Sequence, residues 1–427
     1  MKDVTRFLKE HGLRACDIDM DLLVELFLSE MQKGLKGEKS SLRMIPTYIE
    51  ADNEFLKETA VVAIDAGGTN FRSSLVSFNS DGKLEMEAIK NFRMPGLDRE
   101  VSKREFFETM AGYIRPFADK AGRIGFCFSY PTEIFPDKDG RLLQFCKEVQ
   151  APEVVGQIIG KSLLEALGTP GKKIVLLNDT VATLLAGKSA SFGKSYDSYI
   201  GYILGTGTNT CYIENNRKIP KNLELDHGKS MIVNIESGNF GMAPRTDLDI
   251  SFDNTTMNPG NYSFEKMFSG GYFGDLCLTV LKASAGSGLM SAEGAERLNI
   301  ISELPTGEAN NFVANRTSAD NILTDCFTTE QDRNISVHIV DNMIDRAAKL
   351  VAANLAAVVI KTGKGTEHER PVLITIDGTT FYKLHNLKDR FEKYFSEFLS
   401  GERNRYVNFT EVEQSSLIGA ALAGLID

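Results

Sequence analysis

Apolar residues recur at three-to-four spacing over Val4–Leu13 and Ile18–Leu35, which predicts two amphipathic helices. Pro46 interrupts Ser40–Ile49, and the period then changes. Val61–Phe78 reads VVAIDAGGTNFRSSLVSF: an apolar run into Asp65, a small polar turn, and a second β-prone run. Gly-Gly between two such runs predicts a β-hairpin. Leu84–Arg93 predicts a third strand, Lys103–Ala121 an amphipathic helix, and Arg123–Tyr130 a buried strand ending at Pro131. Residues 132–152 are polar with scattered apolar positions and read as loop. Val154–Leu167 is helical up to Gly168, Ile174–Leu177 is a short strand, and Asp179 opens a helix over Thr180–Gly187. This order predicts a mixed α/β sheet with helical layers.

The theme then returns. Tyr199–Glu214, YIGYILGTGTNTCYIE, is again strand, small-residue turn, strand, and Thr206–Asn209 echoes Gly67–Asn70. Residues 215–262 read as irregular and strand-rich, and 263–300 as helical. Val337–Ile360 predicts a long helix, and Pro371–Ile376 a buried strand leading into Asp377-Gly378-Thr379-Thr380. The chain closes on Ser415–Ile426, whose Gly and Ala residues permit close helix packing. Two similar hairpins, each opening an α/β unit, point to a duplicated fold with a ligand held between its halves. No linker-like segment separates the halves, so crossing segments are expected to be shared.

Composition narrows the chemistry. A chain of 427 residues is long enough for two domains. A formal net charge of −10 without a basic block argues against a nucleic-acid partner. No stretch of 18 uncharged apolar residues predicts a membrane span, and the N-terminus lacks a secretory apolar core. Six cysteines without a C-x-x-C pair read as reduced thiols in a cytoplasmic protein. Five histidines without an H-E-x-x-H motif argue against a histidine metal site or a His-centred triad.

The small-residue turns at 65–70, 205–209 and 377–380 carry the candidate chemistry. Successive backbone N–H groups in such turns bind anions, and Asp65 suits phosphate that arrives with Mg²⁺. An ordinary hairpin whose Asp and Asn satisfy the turn is the simpler alternative. Asp179, in LLNDTVATLL, is a candidate general base or a helix N-cap. Asn178, Asn209, Glu236 and Glu265 combine amides with carboxylates, as recognition of a polyol requires. Each Glu alone is equally a surface or capping residue. Lys147, in LQFCKEV, is a solvated lysine or a cation that screens a transferred phosphoryl.

Taken in order, DAGGTNFR, GFCFSYP with LLQFCK, LNDTVATLLAG, ILGTGTNTCYIE, VNIESGNFG, FEKMFSGGYFG and DGTTFYKLH resemble hexokinases. The resemblance runs from about SLRMIPTYI to the C-terminus. It implies a two-domain actin-like (ribonuclease H-like) α/β fold, each domain a mixed sheet flanked by helices, with a sugar and ATP cleft between. The expected smaller domain is 59–176 with 414–427, and the larger is 1–58 with 177–413. The implied reaction is ATP-dependent phosphorylation of a hexose 6-hydroxyl, glucose first, then mannose or fructose, at the start of sugar metabolism. Asp179 would be the base and Lys147 would stabilise the phosphoryl. Ser129, Cys146, Asn178, Asn209, Glu236 and Glu265 would face the sugar. Asp65, Gly67, Gly68, Thr69, Asn70, Arg72, Thr206 and Gly207 would surround the phosphates, and Gly378 and Thr379 would lie near the adenosine. Mg²⁺ would be held through ATP and water, with Asp65 and Asp179 in its outer shell.

Some positions depart from the family. Phe145-Cys146-Lys147 replaces the usual Trp-Thr-Lys, and Asn261-Tyr262-Ser263 lacks the glutamine common before Glu265. Those changes at the sugar edge leave two rivals: a kinase of another sugar such as an amino sugar, and a sugar sensor without turnover. Asp179 and Lys147 together favour the active kinase.

Overall fold

A computed structural model describes residues 2–50, 54–145, 149–191, 193–222, 224–318 and 320–426. Two mixed sheets organise it. The strands are β1 (Ile45–Pro46), β2 (Val61–Gly67), β3 (Asn70–Phe78), β4 (Leu84–Met86), β5 (Lys90–Arg93), β6 (Arg123–Phe128), β7 (Thr132–Ile134) and β8 (Gly140–Leu142). They continue as β9 (Lys173–Leu177), β10 (Ser198–Leu204), β11 (Thr208–Asn215), β12 (Ser230–Asn234), β13 (Val372–Asp377) and β14 (Val407–Thr410). The first sheet runs β4-β3-β2-β6-β9, with β5 also on β3. The second runs β1-β12-β11-β10-β13-β14.

Both sheets follow one plan. The hairpin strands β2–β3 and β10–β11 are antiparallel. Two parallel strands then add on the other side, β6 and β9 in the first sheet and β13 and β14 in the second. The echo between the two turn sequences is therefore an echo of topology. It places both turns at the ends of equivalent strands.

The central strands β2, β6, β9, β10 and β13 read as near-continuous apolar runs because both faces are covered. Helices Lys103–Ala118 and Ile159–Leu167 pack their apolar faces on the first sheet. The long helix Glu330–Thr362 and helix Met20–Lys36 lie in the core of the second. A third core is built from helices Asp179–Ala190 and Ser415–Leu425 with residues of both sheets. Those two helices thus pack between the two sheets. A Cβ on Gly419 would stand 2.0 Å from the carbonyl oxygen of Ala182, so the small-residue pattern does permit close contact.

The expected Val154–Leu167 helix begins only at Ile159, and other segments differ from expectation as well. Residues 132–152 contain the β7–β8 hairpin, whose three-residue strands are too short to show periodicity. Leu84–Arg93 is two short strands. Among the described residues of 216–262 there is one strand, β12, and the helix Asp247–Asp253.

Candidate active site

A cleft of about 2220 Å³ opens where the two hairpin turns face one another. Gly67, Gly68, Thr69 and Asn70 line it from the first sheet, and Thr206, Gly207 and Asn209 from the second. Asp65, Arg72, Ser129, Asn178, Asp179, Glu236 and Glu265 line it as well. Gly378 and Thr379 are not on that lining. Gly378 lies behind the second turn, where a Cβ would meet the Leu204 carbonyl oxygen. Cys146 and Lys147 fall outside the described residues.

Asp179 is the first residue of its helix, and Asn178 is the cap. The Asn178 Oδ1 accepts from the Thr180 N–H at 2.9 Å. The capping role that Asp179 could have filled is therefore taken by its neighbour. Asp179 still accepts from the same N–H at 2.8 Å, with its carboxylate turned to the cleft. Burial pushes its pKa up to about 6, against the bond from Thr180, and the nearby Asp65 and Glu236 carboxylates add to the rise. A carboxyl raised toward neutrality is what a general base needs.

Asp65 and Arg72 are cross-strand partners in β2 and β3. The Arg72 Nε donates to Asp65 Oδ2 at 2.8 Å, and its Nη2 donates to the same oxygen. Arg72 Nη1 donates to Gln414 Oε1 at 2.9 Å, just before the 415–425 helix. Burial raises the Asp65 carboxyl and the guanidinium opposes that rise. Ser129 packs under the first turn, where a Cβ on Gly67 would stand 2.9 Å from its Cβ.

The amides and Glu236 form one network. Asn209 Nδ2 donates to Asn234 Oδ1 at 2.8 Å, with longer bonds to Asn178 Oδ1 and Glu236 Oε1. Asn234 Nδ2 donates to Glu236 Oε1 at 2.8 Å. Asn209 Oδ1 accepts the N–H groups of Thr210 and Ser237. Glu236 sits at a φ of +60°, a left-handed conformation that is rare for a non-glycine residue and is found at functional sites. Asn234 is a cleft residue that the sequence reading passed over. The signal for it was its place in VNIES, two residues before Glu236 on an otherwise apolar strand.

Glu265 reaches the second turn, its Oε2 accepting from the Thr208 N–H at 2.8 Å. A Cβ on Gly207 would lie 2.6 Å from that oxygen, so the carboxylate requires glycine there. The arrangement thus joins amide and carboxylate groups able to donate to and accept from hydroxyls, a carboxyl raised toward neutrality and two glycine turns in one cleft.

Hexokinase family models match residues 5–189 and 199–426, which together span both sheets. The chain belongs to the hexokinase family. It is 30% identical to Hexokinase-7 of Oryza sativa subsp. japonica over 94% of this chain and 92% of that one. It is 28% identical to Hexokinase-1 of Schizosaccharomyces pombe over 95% and 87%. With Hexokinase-3 of Homo sapiens it shares 32% identity over 92% of this chain and 44% of the human one. In fold it matches a hexokinase from Schistosoma mansoni complexed with glucose, with a TM-score of 0.80 at 24% identity over 99% of this chain and 98% of that one. The two-domain actin-like α/β fold expected of the sequence, mixed sheets flanked by helices, is thereby established, and the chain is an ATP-dependent hexose kinase. No described helix is long and apolar enough to cross a membrane.

Proposed function

We propose that this hexokinase transfers the terminal phosphoryl of MgATP to the 6-hydroxyl of glucose, with Asp179 as general base. The observation that carries the reading is the Asp179 carboxyl, lifted to about 6 between the two turns and beside the amide–carboxylate network. Near neutral pH it is ionised yet basic enough to take a hydroxyl proton as the oxygen attacks. Asn178, Asn209, Glu236, Glu265 and Ser129 hold the sugar hydroxyls, each of which can donate and accept. The turns Gly67–Asn70 and Thr206–Gly207, with Asp65 and Arg72, receive the phosphates, and Gly378 and Thr379 act from behind on the adenosine side. Lys147 and Cys146 keep the roles the family resemblance gives them, on the phosphoryl and at the sugar edge.

The donor set fits magnesium. Asp65, Asp179, Glu236 and Asp377 bring excess negative charge to the cleft, and mutual repulsion contributes to the raised Asp65 and Asp179. When bound, the ion neutralises phosphate charge and orients ATP. The units 59–176 with 414–427 and 1–58 with 177–413 would close on the sugar, because water left in the cleft would compete as acceptor. Four described cysteines are buried free thiols, which suits the reducing cytoplasm, where the reaction would open sugar metabolism.

The test is coupled phosphorylation with MgATP over glucose, mannose, fructose, glucosamine and N-acetylglucosamine, beside Asp179→Ala. Glucose turnover that collapses in the variant is expected. A preference for an amino sugar would reassign the substrate. Sugar binding without turnover on any substrate would replace the kinase by a sensor.

A further inference from the structure

Lys266 is 2% exposed and Asp253 4%, although both carry charges and neither faces the cleft. They bracket the segment 254–262, which enters the cleft with Thr255, Thr256, Met257, Asn258 and Tyr262. The Lys266 Nζ donates to Asp253 Oδ1, to Thr256 Oγ1 at 2.8 Å and to the Asn258 carbonyl at 2.8 Å. Three donors meet three acceptors, so the ammonium is satisfied. Asp253 Oδ2 accepts from the Gly260 N–H at 2.9 Å and from Arg245 at 3.2 Å. The pair therefore grips the loop at positions 256, 258 and 260. A buried ion pair seldom contributes net stability compared with apolar residues of the same volume, because both charges lose their water. Its use here is geometric. Glu265 adjoins Lys266 in the chain and carries the bond to Thr208, so whatever fixes Lys266 also fixes Glu265.

We infer that Asp253 and Lys266 are positioning residues for hexose binding: their buried pair holds the 254–262 loop and Glu265 in the shape that receives the sugar. This rests on the proposed placement of the sugar beside Glu265. Neither residue touches substrate. Their loss should weaken sugar capture and leave the phosphate turn of the first sheet untouched.

The experiment measures KM for glucose and for MgATP, with calorimetric Kd for glucose, in the full chain. Lys266→Met is expected to raise KM and Kd for glucose about tenfold and KM for MgATP only about threefold, the smaller effect passing through Glu265 to the second turn. The double variant Asp253→Leu, Lys266→Met removes both charges. It should regain part of the melting temperature lost by Lys266→Met, Arg245 having lost its Asp253 partner, and keep the raised glucose KM. A merely structural pair would restore both, and recovery of KM with stability overturns the inference. Thr256→Val, which leaves the ion pair intact, should raise glucose KM about threefold. An unchanged KM there also overturns it, and this variant decides should the pair variants fail to fold. Glucose that is neither bound nor phosphorylated by the unaltered chain rejects the proposed function instead.

Discussion

The turn at Gly67–Asn70 is tied at two points, and its outer side is open. Tyr130 Oη donates to the Gly68 carbonyl at 2.8 Å and the Met94 N–H donates to that of Thr69 at 3.0 Å. A Cβ on Gly68 would meet nothing within 4 Å. The turn at Gly205–Gly207, its counterpart in the second sheet, is enclosed. The Gly205 carbonyl accepts from Gly270 N–H at 2.8 Å and Thr380 Oγ1 at 2.9 Å, and the Thr206 carbonyl accepts from Gly271 N–H at 2.9 Å. Glu265 closes the next position. Duplication supplied two similar turns, and the surroundings made one a fixed wall and the other an open rim. The fixed wall is also the side that carries the amide network, Glu236 and Glu265. On the proposed function, sugar recognition and one phosphate contact belong to a single preorganised piece, and the other phosphate contact belongs to the opposite sheet.

The largest effect should come from the residue between the two. Asp179→Ala is expected to lower kcat by 10² to 10⁴, roughly the range for loss of a general base, with glucose Kd changed less than about threefold. Rapid-quench turnover beside calorimetry checks it. A fall in binding equal to the fall in rate would make Asp179 a sugar contact and leave the base unassigned.

Next comes the enclosed turn. Gly207→Ala places a methyl 2.6 Å from the Glu265 carboxylate oxygen, so one of them must shift. Glu265 would lose its bond to Thr208, and both substrates should feel it. The expectation is a loss of about 30-fold in kcat/KM, shared between glucose and MgATP. An effect on MgATP alone would separate the sugar site from the turn and break the idea of one rigid piece.

A pH profile sharpens the role of Asp179 without any substitution. Its folded pKa of about 6 lies above the usual 3.8, so the carboxylate is lost as pH falls through 6. kcat/KM for glucose is expected to decline about tenfold per unit below that point. A limb starting near pH 4 would mean that the cleft does not hold the carboxyl at its raised value.

Much of this was legible in the chain, for identifiable reasons. The Val61–Phe78 hairpin was readable because Gly67-Gly68 punctuates two β-prone runs, and its echo at Thr206–Asn209 exposed the duplication. Asn178 and Asp179 were visible as a pair, but which one caps the helix depends on side-chain geometry that spacing does not encode. The long helix begins at Glu330, ahead of the expected Val337, because Thr329 caps it and its polar first turns have little apolar periodicity to show. Asn234 and the Asp253–Lys266 pair were hidden for a common reason. Their importance comes from burial among partners distant in sequence, and a lysine in a string of letters reads as solvated.

The smallest effect completes the comparison. Gly68→Ala has room for its methyl, so its only penalty is the backbone, which holds a φ of +56°. An L-residue in that region costs about 1 kcal/mol. The expectation is a KM for MgATP raised no more than about threefold, with glucose KM unchanged, because the amide network lies on the other sheet. Set beside Gly207→Ala, this is the direct measure of rim against wall. Equal losses at the two glycines would mean that the first turn also tightens around its ligand, and that rim and wall do not differ.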